Sequence, residues 1–314
     1  MSSVIRQLKN WFTKQNIYPQ TVEQAIYDSE GRRLDNKIAN GLSNPNLLIN
    51  ADFRNPVNQR GGTSWSGTTS TFTIDRWAML RGTVTQTDKG LVCSHDGISD
   101  GFLNLHQKIE ITPTRIDEKV TVSAKIDGEV FVGTTSKILS SYSNGENDVL
   151  YNSAKFLISV SVISNYLQVN LVFKSTEGQT IEWAKVEYGE IATPFRPRLY
   201  AEELQLCKRY YQVIANDLSI EYYGAGYCNS TTSAIVILPH ELKLRCIATI
   251  STTEANTFAI HSANSDKTLS SISVGVRADS TSLQVMAKTS NLVVGQGCLL
   301  GFKAGAKITL DAEL

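Results

Sequence analysis

A chain of 314 residues is long enough for two domains, or one large β-domain, with a core that needs no disulfide staples. Thirty Lys and Arg residues balance thirty Asp and Glu, and charged residues make up only 19 % of the whole. That balance excludes the basic field by which proteins coat nucleic acid or anionic membranes, so neither partner is expected. The surface is left to Ser, Thr and Asn, a composition that suits extracellular or particle-borne β-proteins. Five cysteines (Cys93, Cys207, Cys228, Cys246, Cys298) are widely spaced, odd in number and without a CxxC pair. They read as free, mostly buried thiols of a protein made in a reducing compartment.

The opening stretch MSSVIRQLKNWFTKQ has neither a continuous apolar segment nor a small-residue cleavage site, so it is not a secretory signal. No stretch approaches the roughly 20 apolar residues of a membrane span. The chain is expected to stay in the cytosol, or to leave it by lysis or in a particle. Within residues 3–15, Val4, Leu8, Trp11 and Phe12 fall on one helical face, and so short a helix wants a partner. AIYDSEGRRLDNKI (25–38) reads as a hairpin around a Ser-Glu-Gly turn, and ANGLSNPN as a linker.

From Asn46 the pattern is almost wholly β. KVTVSAKIDG turns Val120, Val122, Ala124 and Ile126 to one side. KFLISVSVI does the same with Phe156, Ile158, Val160 and Val162, and YLQVNLVF with Leu167, Val169, Leu171 and Phe173. TIEWAKVEYG sets Ile181, Trp183, Lys185 and Glu187 against Glu182, Ala184, Val186 and Tyr188. Period-2 alternation means one buried and one wet face per strand, and many short strands between Gly/Asn/Ser turns point to a jelly-roll-type β-sandwich.

ATPFRPR follows as an extended connector, because each proline biases its predecessor away from helix. A helix is predicted over about 200–212, with Leu204, Cys207 and Tyr211 as its stripe, acids at its start and Lys208 and Arg209 at its end. About eight further strands then run to KITLDAEL, whose alternation tucks Ile308, Leu310, Ala312 and Leu314 into a second, C-terminal β-sandwich. The predicted class is mainly β, divided into a helical leader (1–45), a first sandwich (46–197), a linker helix (198–212) and a second sandwich (213–314).

Catalytic signatures are missing: there is no GxSxG, HExxH, Walker A or EF-hand loop. GQGCLLG (295–301) has its third glycine one position late for a dinucleotide fingerprint and no following helix, so it reads as a turn or bulge. His95 and Asp96 are adjacent, but strand neighbours point to opposite faces, which disfavours a shared hydrogen bond. The acids Asp96, Asp100, Glu110, Glu146 and Asp148 lie in a polar, turn-rich half and read as solvated.

Aromatic residues in polar loops carry more information, since a flat apolar ring matches the C–H face of a sugar and neighbouring amides and acids fix its orientation. Three stretches qualify: GGTSWSGTTSTFTIDRW with Trp65; SYSNGENDVLYNS with Tyr142, Asn144, Asn147, Asp148 and Tyr151; and EYYGAGY with Tyr222, Tyr223 and Tyr227. The structural alternative is that each ring caps the core. Trp77 and Trp183, flanked by alternating strand residues, read as core. Asn50, Asp52 and Glu187 would form an oxygen-rich calcium site if the first and last strands of the sandwich were neighbours, with a solvated rim as the alternative. No other cofactor is expected.

Three stretches carry a resemblance. NPNLLINADFRNPVNQRG…TIDRW (44–77) resembles the opening of a jelly-roll module in tail fibre and receptor-binding proteins of phages and prophages of Gram-positive bacteria, and its start is similar to that of jelly-roll carbohydrate-binding modules. WAKVEYGEIATPFRPRLYAEELQLCKRYYQ (183–212) resembles the close of that module and its following helix, and ITLDAEL (308–314) the C-terminal strand. The chain departs from the pattern at Ala51, where relatives often have Gly. The resemblance implies a virion-borne tail protein, made in the bacterial cytoplasm and assembled as a homotrimer. Its partners would be host cell-surface polysaccharide and, through residues 1–45, other tail or baseplate proteins. The expected function is thus non-catalytic glycan binding, ahead of a structural baseplate or tail adaptor and then of a polysaccharide-degrading enzyme.

Overall fold

The computed structural model describes residues 43–97, 101–240, 242–276 and 281–314. The helix read at 3–15, the hairpin at 25–38 and Asp100 lie outside the described residues. The chain is mainly β, as expected. It divides into two compact units: residues 1–45 with Thr193–Arg196, and Asn46–Ala192 with Pro197–Leu314. In the described part of the first, Ser43 Oγ donates to the Pro194 carbonyl at 2.7 Å and the Asn44 N–H to Thr193 Oγ1 at 2.9 Å.

The second unit begins with twelve strands: β1 (Ser64–Gly67), β2 (Thr71–Phe72), β3 (Ala78–Leu80), β4 (Gly82–Thr87), β5 (Gly90–Ser94), β6 (Leu103–Glu110), β7 (Val120–Ile126), β8 (Glu129–Thr134), β9 (Glu146–Asn152), β10 (Phe156–Ile163), β11 (Tyr166–Phe173) and β12 (Gln179–Tyr188). They form two antiparallel sheets, in the orders β1-β4-β5-β12-β7-β8 and β2-β3-β6-β11-β10-β9. Early strands nest against late ones, β5 with β12 and β6 with β11, which is the jelly-roll pattern. The alternating apolar residues of β7, β10 and β11 all enter one core shared by both sheets, together with Trp77.

Two details of β12 differ from simple alternation. A bulge between Ile181 and Trp183 moves Ile181 onto the same face as Ala184, Val186 and Tyr188, because one extra residue inverts the parity of a strand. Trp183 is therefore half-buried and outside the core, correcting the reading of it as a core residue. On the same outer face Lys185 and Glu187 are 1 % and 0 % exposed and pair at 3.2 Å. Ser123 and Thr121 are their register partners on β7 and are buried too, so this strand has no wet face.

Residues 46–53 complete the free side of β12 where β5 ends. The N–H of Leu47 donates to the Val186 carbonyl (2.8 Å), Ala184 to Ala51 (3.0 Å) and Phe53 to Glu182 (2.9 Å). The buried Gln107 imitates a backbone partner for Ile49, accepting from its N–H at 2.8 Å and donating to its carbonyl at 2.7 Å. This segment is why the opening and close of the first sandwich lie side by side.

Helix α1 (Tyr200–Lys208) carries Glu202 and Glu203 in its first turn and Lys208 in its last, as the helix dipole favours. It stops four residues before the predicted end, because Tyr211 pairs with Asp311 and opens β13. The remaining strands are β13 (Tyr211–Asn216), β14 (Ile220–Cys228), β15 (Ser233–Pro239), β16 (Thr249–Thr252), β17 (Phe258–Ser262), β18 (Ser265–Thr268), β19 (Ser271–Val276), β20 (Ser282–Lys288), β21 (Gly297–Lys303) and β22 (Ala306–Asp311). They form sheets β13-β22-β16 and β18-β17-β21-β14-β15-β20-β19 around a second core. β18 escapes sequence reading because SDKT has no apolar alternation; its hairpin is set by Ala263 and Asn264, both at positive φ.

The two sandwiches meet at a charged seam. The Glu313 side chain is 2 % exposed and bonds Arg76, whose side chain is also 2 % exposed, through both the guanidinium Nη1 and the backbone N–H (3.0 Å). Arg60 Nη2 lies 3.3 Å from the same carboxylate, and its Nη1 lies 3.5 Å from Asp311. Arg76 stacks over Tyr210 at 3.5 Å and Arg60 over Tyr211 at 3.9 Å, so both tyrosines of the predicted helix end serve as platforms for arginine. Glu203 of α1 accepts from the Asn50 N–H and binds Arg198, whose Nη1 also reaches the Leu48 carbonyl at 2.9 Å.

Replacing Glu313 by Ala leaves Arg76 buried without its counter-charge, and should lower stability by about 3 kcal/mol or more in urea titrations. Burial pushes the Asp75 carboxyl up to about 7, against the bonds it accepts from Gln59. The folded state then holds a proton that the unfolded chain has lost, so this group makes stability fall as pH rises from about 4 to about 7. In Asp75→Asn that slope should flatten, by on the order of a few kcal/mol across the window, in denaturation midpoints taken at a series of pH values.

Candidate functional site

The residues singled out from the sequence fall in separate places. Trp65 sits on edge strand β1, opposite Val84, packed against the first core and over Gly62, rather than on a free loop. Tyr151 on β9 stacks on Phe156 at 5.1 Å and against Phe131 at 4.8 Å, closing the core at the sheet edge. Asn144 accepts from the Ser164 N–H (2.6 Å) and Asn147 from Ser161 Oγ (3.1 Å), so these amides brace their own loop and strand. Tyr223 packs on Phe302 at 4.7 Å and gives its hydroxyl proton to Glu221, whereas Tyr227 on β14 is half-exposed.

Tyr222, His261 and Asp266 do gather on the outer side of the C-terminal seven-stranded sheet. The Tyr222 hydroxyl donates to Asp266 Oδ1 at 2.8 Å, and His261 Nδ1 lies 2.9 Å from the same oxygen. A neighbouring depression of about 530 Å³ includes His261, Asn264, Gln296 and Cys298. Burial, then the adjacent Cys228, pushes the Cys298 thiol up to about 12, which removes it as a nucleophile at neutral pH. All five cysteines are free and four are buried.

The oxygen atoms considered for calcium have other work. Asn50, at φ 59, donates from Nδ2 to the carbonyls of Val57 and Asp75 (both 2.8 Å) and accepts from the Val57 N–H (2.7 Å). Asp52 pairs with Arg54 at 2.8 Å, and Glu187 with Lys185. Among the described residues no group of three or more His, Cys, Asp or Glu side chains is arranged to hold a metal ion. β5 ends at Ser94, so the alternation that would separate His95 from Asp96 does not operate; their side chains approach to 3.4 Å. Gly295, at φ 78, and Gln296, whose N–H donates to the Val293 carbonyl at 3.1 Å, make the glycine-rich stretch at 295–301 a turn leading into β21.

One depression joins a predicted residue to unpredicted ones. It holds about 620 Å³ at the end of the first sandwich, where the β6–β7 connection, the short turn Leu139–Ser141 and the β10–β11 turn converge. The buried Leu139 and Val162 and the half-buried Ile111 give it an apolar base, the exposed Pro113 and Ile116 extend that apolar lining outward, and Glu110, Ser140, Ser164 and Asn165 add polar groups beside Tyr142 and Tyr166. Tyr142 is held in place by giving its proton to Asp148, which also accepts from the Ser136 N–H at 2.7 Å. Burial works against the Asp148 charge, but these hydrogen bonds outweigh it and hold the carboxyl below its usual range. Burial and the same bond push the Tyr142 phenol up, so it stays neutral.

A second depression of about 420 Å³ shares Glu110, Ile111 and Pro113 with the first and continues toward the seam past Lys108, Arg209 and Tyr210. Among the described residues lining the larger one, Glu110 is the one carboxylate, and it faces Arg209 at 3.0 Å and Arg245 at 3.9 Å. Glu146, on β9, is paired with Lys137. The arrangement offers an apolar base, two phenols, two serine hydroxyls and the Asn165 amide: the chemistry of a binding site for a polyhydroxylated ligand. Tyr166 and Asn165 were missed in the sequence, and Glu110 was read there as a solvated acid. Tyr166 opens a strand whose alternation was already explained, and only the turn Asn165–Tyr166 after "IS" hinted at a sheet end.

No protein-family model matches the chain, and neither curated proteins nor solved structures offer a similar protein.

The two tyrosines of β9 and β11 should separate by experiment. Tyr151→Ala removes a ring from the core edge and should cost about 2 kcal/mol or more, whereas Tyr166→Ala, at the depression, should cost less than about 1 kcal/mol. Thermal unfolding of the two variants checks the order.

Proposed function

We propose that the chain is a phage, or phage-derived, tail fibre or receptor-binding protein that binds host cell-surface glycans without cleaving them. The observation that carries this reading is the depression at the end of the first sandwich. Its apolar floor and its Tyr142 and Tyr166 rings suit the C–H face of a sugar, while Asn165, Ser164, Ser140 and Glu110 suit its hydroxyls. The walls rise from hydrogen-bonded strands and a braced loop, so little ordering is needed on binding. Weak affinity at one site is workable, because several linked copies raise the effective concentration. In this reading the protein is a homotrimer carried on the virion, and residues 1–45 attach it to other tail or baseplate proteins.

A second reading, as a structural adaptor of a tail or baseplate, is favoured by a different surface. Tyr227 (50 % exposed) is in register with Ile235, and Ile235 with Met286 (43 %), with Ile237 (49 %) alongside, on the outer face of the C-terminal seven-stranded sheet. Contiguous exposed apolar residues of this kind serve contacts with other proteins.

Fluorescently labelled full-length protein should adsorb to host cells, and lose most of that adsorption once wall polysaccharide is stripped. Adsorption that survives stripping speaks against glycan recognition. Light scattering should return a mass near three times 34.6 kDa; a clean monomer would remove the trimer from the proposal.

A further inference from the structure

Two rim groups of the depression on the first sandwich are held by the second. Glu110 and Tyr166 are register partners on β6 and β11, and both point outward, since their neighbours Ile109 and Leu167 enter the core. Arg209 Nη2 lies 3.0 Å from one oxygen of Glu110, and Arg245 Nη1 lies 3.9 Å from the other. The same Arg245 nitrogen donates to the Tyr166 hydroxyl oxygen at 3.3 Å. Neither arginine belongs to the sandwich whose rim groups they hold. The Arg245 N–H donates to the Arg209 carbonyl at 2.9 Å, and its Nε donates to the Ala312 carbonyl at 3.2 Å. Ala312 in turn donates to the Tyr210 carbonyl at 2.7 Å. The pair therefore moves with β22 and the C-terminal core.

A phenol has one proton to give and lone pairs to accept with. A guanidinium that occupies a lone pair of Tyr166 directs its single proton elsewhere, toward an acceptor oxygen in the depression. A guanidinium cannot accept, so this polarity is fixed at any pH at which the protein is folded. Glu110, with an arginine near each oxygen, is more than neutralised, so no net negative charge faces a ligand while its remaining lone pairs can still accept from a hydroxyl.

We propose that Arg245, supported by Arg209, is a positioning residue for the glycan site, which is thus a composite of both sandwiches: walls from the first, orientation of its polar rim from the second. This inference rests on the glycan reading given above. Its consequence is linkage. A ligand that takes the Tyr166 proton favours the docked arrangement of the two sandwiches, and docking favours the ligand by the same factor. Coupling of this kind makes the seam sensitive to occupancy of the site.

The test uses the full chain and an array of neutral and acidic oligosaccharides, with titration calorimetry on the oligosaccharide most strongly retained. Tyr166→Phe and Arg245→Met should each weaken binding about three- to tenfold, as loss of one oriented hydrogen bond does. The double variant should be no more than about twofold weaker than either, because both remove the same interaction. Arg245→Lys, which keeps a donor, should recover part of the loss. A role confined to folding would lower the unfolding midpoint of Arg245→Met and leave the affinity of the folded fraction unchanged; that result, or losses that multiply in the double variant, overturns the proposal. Should Arg245→Met not fold, the Arg245→Lys and Tyr166→Phe pair is read in the same way. Retention of no oligosaccharide overturns the glycan reading and this inference with it, whereas retention indifferent to position 245 overturns this inference alone.

Discussion

The buried carboxylate of Glu313 is the constraint on which the arrangement of the second compact unit turns. It lies after the last strand of the C-terminal sandwich, yet both its oxygens are spent on Arg76 and Arg60 of the first. A charge so far from water persists only where opposite charge and hydrogen bonds replace its hydration. Here the replacement comes from across the seam. Neither sandwich can move away without stranding ions in an apolar setting. The tyrosine faces beneath the two guanidinium groups and the Gln59 contact with the Tyr211 carbonyl at 2.8 Å extend the same demand along the chain.

That demand shapes the rest. α1 is short because β13 must start at Tyr211 to pair with β22, and β22 must lie where Glu313 can reach the first sandwich. Residues 46–53 are fastened on one side by β12 and Gln107, on the other by Glu203 and Arg198, so the start of the first sandwich belongs to the seam as much as to the sheet. Asn50 illustrates the economy of such a position. Its amide satisfies three backbone groups while the chain turns through a left-handed conformation that asparagine tolerates better than most residues. The amide that the sequence offers to a metal is engaged here by backbone groups.

The fold class was legible because it rests on period-2 patterning, which depends only on local chain geometry. β7, β10 and β11 buried the side chains that their alternation selected. Legibility failed where a local rule met a tertiary one. A single bulge inverted the parity of Ile181, a polar hairpin strand carried no apolar signal, and a strand partner ended a helix whose periodicity would have continued. The candidate site was legible only through Tyr142. Other aromatic residues chosen for their polar surroundings divide between core closure, as Tyr151, and open sheet faces, as Tyr227, since polarity of neighbours in sequence does not tell which way a ring points.

A mainly β chain, two apolar cores with a helix between them, free thiols and the lack of a local catalytic signature can all be read from the letters alone. These follow from composition, spacing and side-chain periodicity, which act over a few residues. It takes the folded chain to bring Glu110, Tyr142 and Tyr166 to one depression and to set behind Glu110 two arginines, Arg209 and Arg245, that follow it by 99 and 135 residues. Those groups come together through sheet pairing and the burial of charge at the seam. Both are long-range constraints, and no window of sequence contains them.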